Sequence, residues 1–187
     1  SVAGIAGNTV EDVTLNAAAG NVTVGQIGAA AAEINDVTIT GATINLGGNI
    51  NTDDDAGAAG DVDLNGAVVL TANVEINTSA GDGTVDLSST LNGAFDLDIS
   101  SAAGAVQITG VIGGSTALAT LDINALAGSG AITISDNIGR GTTGVTGATA
   151  IGNAATTTLT LDGTDYITNA ATYTAATGDN IDLTAGA

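Results

Sequence analysis

Residues 104–114 read GAVQITGVIGG. Val106 and Ile108 flank the polar Gln107, Val111 and Ile112 follow, and Gly113 and Gly114 close the stretch. Apolar residues alternating with polar ones mark a half-buried strand, and paired glycines mark a corner. No segment of the chain reads as a helix that could cover the apolar side. What Val106 and Ile108 pack against therefore decides the fold.

The same short pattern recurs along the chain. Two aliphatic residues enclose one other residue at Val22/Val24, Ile44/Leu46, Val62/Leu64 and Val85/Leu87. They do so again at Val106/Ile108, Ile132/Ile134, Leu159/Leu161 and Ile181/Leu183. A third aliphatic residue follows at Ile27, Ile50, Val68, Leu91, Ile112, Ile138 and Ile167. The spacing averages about 23 residues, and runs such as AAGDVDL, AGDGTVDL and AAGAVQI place small residues before the motif. A second pair falls between copies at Val37/Ile39, Val74/Ile76, Leu97/Ile99 and Leu121/Ile123. A unit this short cannot bury its own apolar face, but stacked copies can. The pattern predicts an all-β parallel β-solenoid of about eight rungs, with residues 1–187 as one repeat domain. Val106 and Ile108 then pack on their equivalents one rung above and below.

Composition agrees. Hydrophobic residues make up 44% of 187, yet Phe95, Tyr166 and Tyr173 are the only aromatics, so the core is built of thin aliphatic layers. That content is too apolar for a disordered chain. The chain has no proline, which suits a fold in which each strand donates to a ladder. A β-sandwich or an S-layer-type β-domain also has many short strands, but does not call for one motif at one period. Two stretches fit the period less well. GRGTTGVTGATAIGNAATTT (139–158) reads as an extended loop, and DGTDYITNAATYTA (162–175) as a rung that turns differently or a contact between subunits.

Twenty carboxylates face one cation, Arg140, for a formal net charge of -19. Phosphate contacts need Lys and Arg, which excludes nucleic acid, and anionic membrane surfaces are disfavoured. Residues 99–121 are uncharged, but their glycines and alternation oppose a spanning helix. Three aromatics cannot girdle a membrane barrel. The chain has no Cys or His, which removes thiolate chemistry, the usual zinc ligands and the acid–base group of neutral pH. The acidic surface suits a saline or calcium-containing exterior. The chain starts at Ser1, without an initiator Met or signal peptide, and is read as a mature chain or a fragment of a larger exported protein.

At GVIGGSTALATLDI (110–123) and TTTLTLDGTDYITNAATYTAATGDNIDLTAGA (156–187) the chain resembles the repeats of giant bacterial surface proteins. These are filamentous-haemagglutinin-like adhesins, autotransporter passengers and related β-strand-repeat proteins. The resemblance implies export, a right-handed parallel β-helix and a structural or adhesive role. Some S-layer proteins are similar in composition.

The densest acidic group is NTDDDAGAAGDVD: Asp53, Asp54, Asp55, Asp61 and Asp63. Calcium takes six to eight oxygen ligands, and this loop, with Asn51 and backbone carbonyls, is the candidate Ca2+ site. The alternative is a solvated acidic loop. Asp82 with Asp86, and Asp162 with Asp165, are weaker versions. Paired carboxylates could act on a glycoside, but no pair stands out and no aromatic platform accompanies one, so the expected role is not enzymatic. Arg140 either neutralises a nearby Asp or meets an acidic patch on another copy. The expected function is that of a structural protein of a bacterial cell surface or extracellular filament. Its partners would be copies of itself or further repeats of the parent chain. The alternatives are an adhesin binding a surface glycan through side loops such as 47–61 and 139–158, and a calcium-dependent S-layer lattice protein.

Overall fold

A computed structural model describes residues 1–7, 11–29, 32–52, 59–179 and 181–183. Seventeen parallel-paired strands coil into one β-solenoid, with no helix among the described residues. Each turn has three flanks. Strands switch flank without breaking, as in β4 (Val37–Leu46) and β6 (Val62–Leu70), whose mutual register shifts between Thr40 and Thr43.

Flank A carries the ladder Val13–Val37–Val62–Val85–Val106–Ile132–Leu159–Ile181. Val106 pairs with Val85 and Ile132, and Ile108 with Leu87 and Ile134. All six are buried, so the stretch at 104–114 packs on its own equivalents. Flank B carries Val22–Ile44–Val68–Leu91–Ile112–Ile138–Tyr166. Flank C carries Ile5–Ile27–Ile50–Ile76–Ile99–Ile123–Ile151–Tyr173. β-Branched side chains fill these ladders because they fit a pleated surface packed on both sides. Each buried aliphatic side chain contributes roughly 1.5–3 kcal/mol.

The register corrects the phase of the repeat. Val22 and Ile44 belong to flank B, whereas Val62 and the later copies belong to flank A. Val13 and Val37 are the true first members of the flank A series. The solenoid makes about seven turns with a period of about 24 residues. Ile27 and Ile50 likewise sit on flank C rather than B. On flank B the position read as Ile167 is held by Tyr166. The segment read as an extended loop also contains a strand, β14 (Val145–Ile151), paired between β12 (Thr120–Ile123) and β16 (Thr168–Tyr173).

The corner from flank C to flank A explains the small residues before each motif. A Cβ on Gly83 would strike the carbonyl of Gly60, one on Gly104 that of Gly83, and one on Gly130 that of Gly104. Only glycine lets successive corners stack this closely. On three successive turns a buried hydroxyl closes this corner. Thr78 Oγ1 donates to Gly83 O at 2.6 Å, and Ser101 Oγ to Gly104 O at 2.7 Å. Thr52 Oγ1 donates in the same way to Gly60 O.

Candidate functional site

Among the described residues the structure has no deep cleft in evidence. Two shallow hollows, of about 270 and 370 Å³, lie against the first turn, beside β1 (Val2–Ile5). Two others hold about 100 Å³ each. The surfaces with chemical character are the flanks, where outward side chains form ladders of their own.

Acid is stacked on flanks A and C. On flank C, Glu75 of β7 (Val74–Asn77), Asp98 of β10 (Asp96–Ser100) and Asp122 of β12 are aligned in register on three successive turns. Parallel strands lie about 4.8 Å apart, so neighbouring carboxylates repel by roughly 1 kcal/mol even in water. Partial burial pushes the Asp98 carboxyl above its ordinary value, and the charges of Asp122 and Glu75 push it further. On flank A, Asp63 aligns with Asp86 of β8 (Val85–Leu87). Burial again raises the Asp63 carboxyl, followed by Asp86, Asp61 and Asp36.

A third acidic series is structural. Asp12 Oδ1 accepts from the backbone N–H of Asp36 at 3.3 Å, and Asp36 Oδ1 from that of Asp61 at 2.9 Å. Asp61 Oδ1 accepts from Thr84 N at 2.7 Å. These carboxylates satisfy N–H groups where the chain turns onto flank A, the capping habit of Asp in turns. Asparagines do the same elsewhere: Asn49 Oδ1 accepts from Glu75 N, Asn92 Oδ1 from Ser115 N and Asn137 Oδ1 from Thr164 N.

Of the five candidate calcium ligands, Asp53, Asp54 and Asp55 lie outside the described residues. Asp61 holds the corner and Asp63 stands in the flank A ladder, two residues further along β6. Among the described residues no group of three or more carboxylates is placed to hold a metal ion.

Flank B differs. Its outward positions on the first turns are Asn21, Thr23, Thr43, Asn45, Ala67 and Val69, in register across β3 (Asn21–Ile27), β4 and β6. None is charged. Arg140 stands on the same side of the coil, in a tight turn where Arg140 N donates to Thr143 O and Thr143 N to Arg140 O. Thr143 Oγ1 ties that turn to Gly114 O at 3.0 Å. Arg140 lines a small hollow with Thr90, Asn92, Val111, Gly114 and Ser115. It is exposed.

The sequence reading missed both the uncharged outward row on the first turns of flank B and the role of the tyrosines. Alternation at Asn21–Val24 and Thr43–Leu46 carried the signal for the former, but only after those copies are placed on flank B. No family model matches the chain, and neither a curated protein nor a solved structure matches it.

Proposed function

We propose that this chain is a non-enzymatic structural section of a bacterial cell-surface or extracellular filament. It serves as a shaft, or assembles with copies of itself, through stacked β-rungs. The observation that supports this reading is the unbroken in-register ladder from Val13 to Ile181, in which successive turns supply one another's core. Such a coil can be prolonged turn by turn without a new kind of contact. At one end, among the described residues, β1 pairs with β3 alone and β2 (Val13–Asn16) with β4 alone, leaving an edge that a further rung would match. Export to a saline exterior is part of the proposal and rests on the charge of -19 and the absence of cysteine.

Electron microscopy of the purified protein, in calcium and in chelator at matched concentration, tests it. Rods longer than one chain in both conditions are the expected result. Assembly only in calcium would favour the S-layer reading, with the Asp53–Asp55 loop holding metal. Rods of single length in both would overturn self-assembly and leave a section of a longer adhesin, for which glycan binding is the next measurement.

A further inference from the structure

The tetrapeptide Leu-Asn-Gly-Ala occurs twice, at Leu64–Ala67 and at Leu91–Ala94. We propose that Asn65 is a site of spontaneous deamidation in the folded protein, and that the fold shields its twin, Asn92. Asn–Gly is a reactive dipeptide for this chemistry because glycine has no Cβ to hinder the approach of its nitrogen. The Gly66 backbone nitrogen attacks Asn65 Cγ, the Cγ–Nδ2 bond breaks, and ammonia leaves with the Gly66 amide proton. Water then opens the cyclic imide at one of its two carbonyls, giving aspartate or isoaspartate. The step consumes water alone.

Because the two tetrapeptides are identical, a difference between them in the native protein comes from the fold. Asn65 is exposed. It stands at the bend from flank A to flank B, where the register between β4 and β6 slips. Asn65 pairs with Thr40 and Ala67 with Thr43, so Gly66 faces the two residues Gly41 and Ala42. On the next turn Leu64 pairs with Leu87 and Val68 with Leu91, and residues 65–67 have no register partner there. Gly66 therefore sits in a gap of both ladders. Its peptide can swing toward the Asn65 side chain without breaking strand pairing, the kind of local opening that costs little.

Asn92 is held at both reacting groups. Its Oδ1 accepts from Ser115 N at 2.8 Å and from Thr116 N at 3.2 Å. Gly93 N, the nucleophile, donates to Thr116 O at 3.2 Å, and Gly93 is buried. Attack there requires these hydrogen bonds to open first, and each opening has a cost. The two products at Asn65 affect the coil differently. Aspartate adds a carboxylate two residues from Asp63, on the same outward face. Isoaspartate lengthens the main chain by a methylene beside Gly66, where even a Cβ would strike the Gly41 carbonyl. That product cannot keep the β4–β6 register and loosens this turn. Neither outcome depends on where the protein works or what it assembles with.

Peptide mapping of the purified full chain, incubated at neutral pH and sampled over weeks, tests it. The readouts are the mass gain of amide-to-acid exchange and the isoaspartate content at each tetrapeptide. In the folded protein Asn65 should convert at least tenfold faster than Asn92, a barrier difference of about 1.4 kcal/mol. In guanidinium chloride the two should convert at equal rates. Asn65→Gln, on an exposed side chain, should remove the fast conversion and leave the circular dichroism unchanged. Aged wild type should show a lower urea midpoint, which aged Asn65→Gln retains. Equal rates in the folded chain, or faster conversion at Asn92, overturn the proposal. So does an Asn65 that stays intact in the folded chain while the unfolded chain reacts, or a rate difference of the same size in denaturant. An aged wild type that carries isoaspartate yet melts like the fresh protein overturns the loosening of the turn.

Discussion

Tyr166 and Tyr173 meet edge to face inside the coil, their ring centroids 6.4 Å apart and their planes at 69°. Tyr166 continues the flank B ladder above Ile138, and Tyr173 the flank C ladder above Ile151. Two aromatic rings therefore replace two aliphatic side chains on one late turn, and they fill the space between flanks. This is an ordinary rung with larger contents, not a loop that departs from the coil. The two hydroxyls differ. Tyr166 Oη donates to Gly163 O at 3.0 Å, while Tyr173 Oη is buried beside the Thr168 side chain without a well-formed hydrogen bond.

That difference makes a paired prediction. Tyr173→Phe removes a buried hydroxyl that lacks a well-formed hydrogen bond and should change stability by less than about 1 kcal/mol, whereas Tyr166→Phe should cost about 1 kcal/mol. Tyr173→Ala should cost about 2–3 kcal/mol, less than full burial would imply, because the ring is only partly covered. Urea melts of the three variants give the comparison, and equal effects for the two Phe variants would refute it.

Thr149 provides a second case. It occupies the inward position above Leu121 on flank C, is buried, and its Oγ1 has no hydrogen-bond partner. Thr149→Val keeps the shape and removes the desolvated hydroxyl. A gain of roughly 1 kcal/mol is expected, read as a higher urea midpoint at unchanged slope.

Gly104 and Ala102 sit two residues apart and should respond in opposite senses. A side chain at Gly104 would collide with the Gly83 carbonyl one turn away, so Gly104→Ala should cost about 3 kcal/mol or more. Ala102 is held at a φ of 48°, where a Cβ is strained. Ala102→Gly should stabilise by a few tenths to 1 kcal/mol, the relief of strain exceeding the added freedom of the unfolded chain. Thermal unfolding of the two variants side by side measures both signs.

The stacked carboxylates set the response to pH. Asp98 and Asp63 have folded-state values above those of the unfolded chain. Between the two values the folded state binds more protons, so stability falls as pH rises through that window. Acidification from pH 7 toward about 4 should therefore raise the melting temperature, the reverse of ordinary acid denaturation. Asp98→Asn should stabilise at pH 7 by roughly 0.2–1 kcal/mol, the range for like charges placed opposite each other on adjacent strands. It should also flatten the profile. A melting temperature that falls steadily from pH 7 to 4, in wild type and variant alike, would contradict this.

Much of the fold was legible in single residues. Val106, Gln107 and Ile108 alternate because one side of the strand is buried, and that holds for any rung whatever its place. The small residues before each motif were equally readable, since Gly83, Gly104 and Gly130 answer a local steric demand. The calcium candidates were less so. Asp61 looks like a ligand by composition, yet its carboxylate accepts the Thr84 N–H and serves the corner.

The amino-acid sequence by itself determined that the chain is a parallel β-solenoid, which residues face inward on all but the turn where Tyr166 stands in place of Ile167, and that its charge is almost wholly negative. Those follow from a period of two along each strand and a recurring motif between strands. Only the tertiary structure decided which flank each strand occupies, and hence that Val22 and Val62 belong to different ladders. It alone showed that the outward row of flank B is uncharged over the first turns and brought Tyr166 onto Tyr173. The physical reason is that alternation specifies in against out, while the flank is set by how many residues each corner consumes. Corner lengths vary from turn to turn, and only the hydrogen-bonded register between turns counts them.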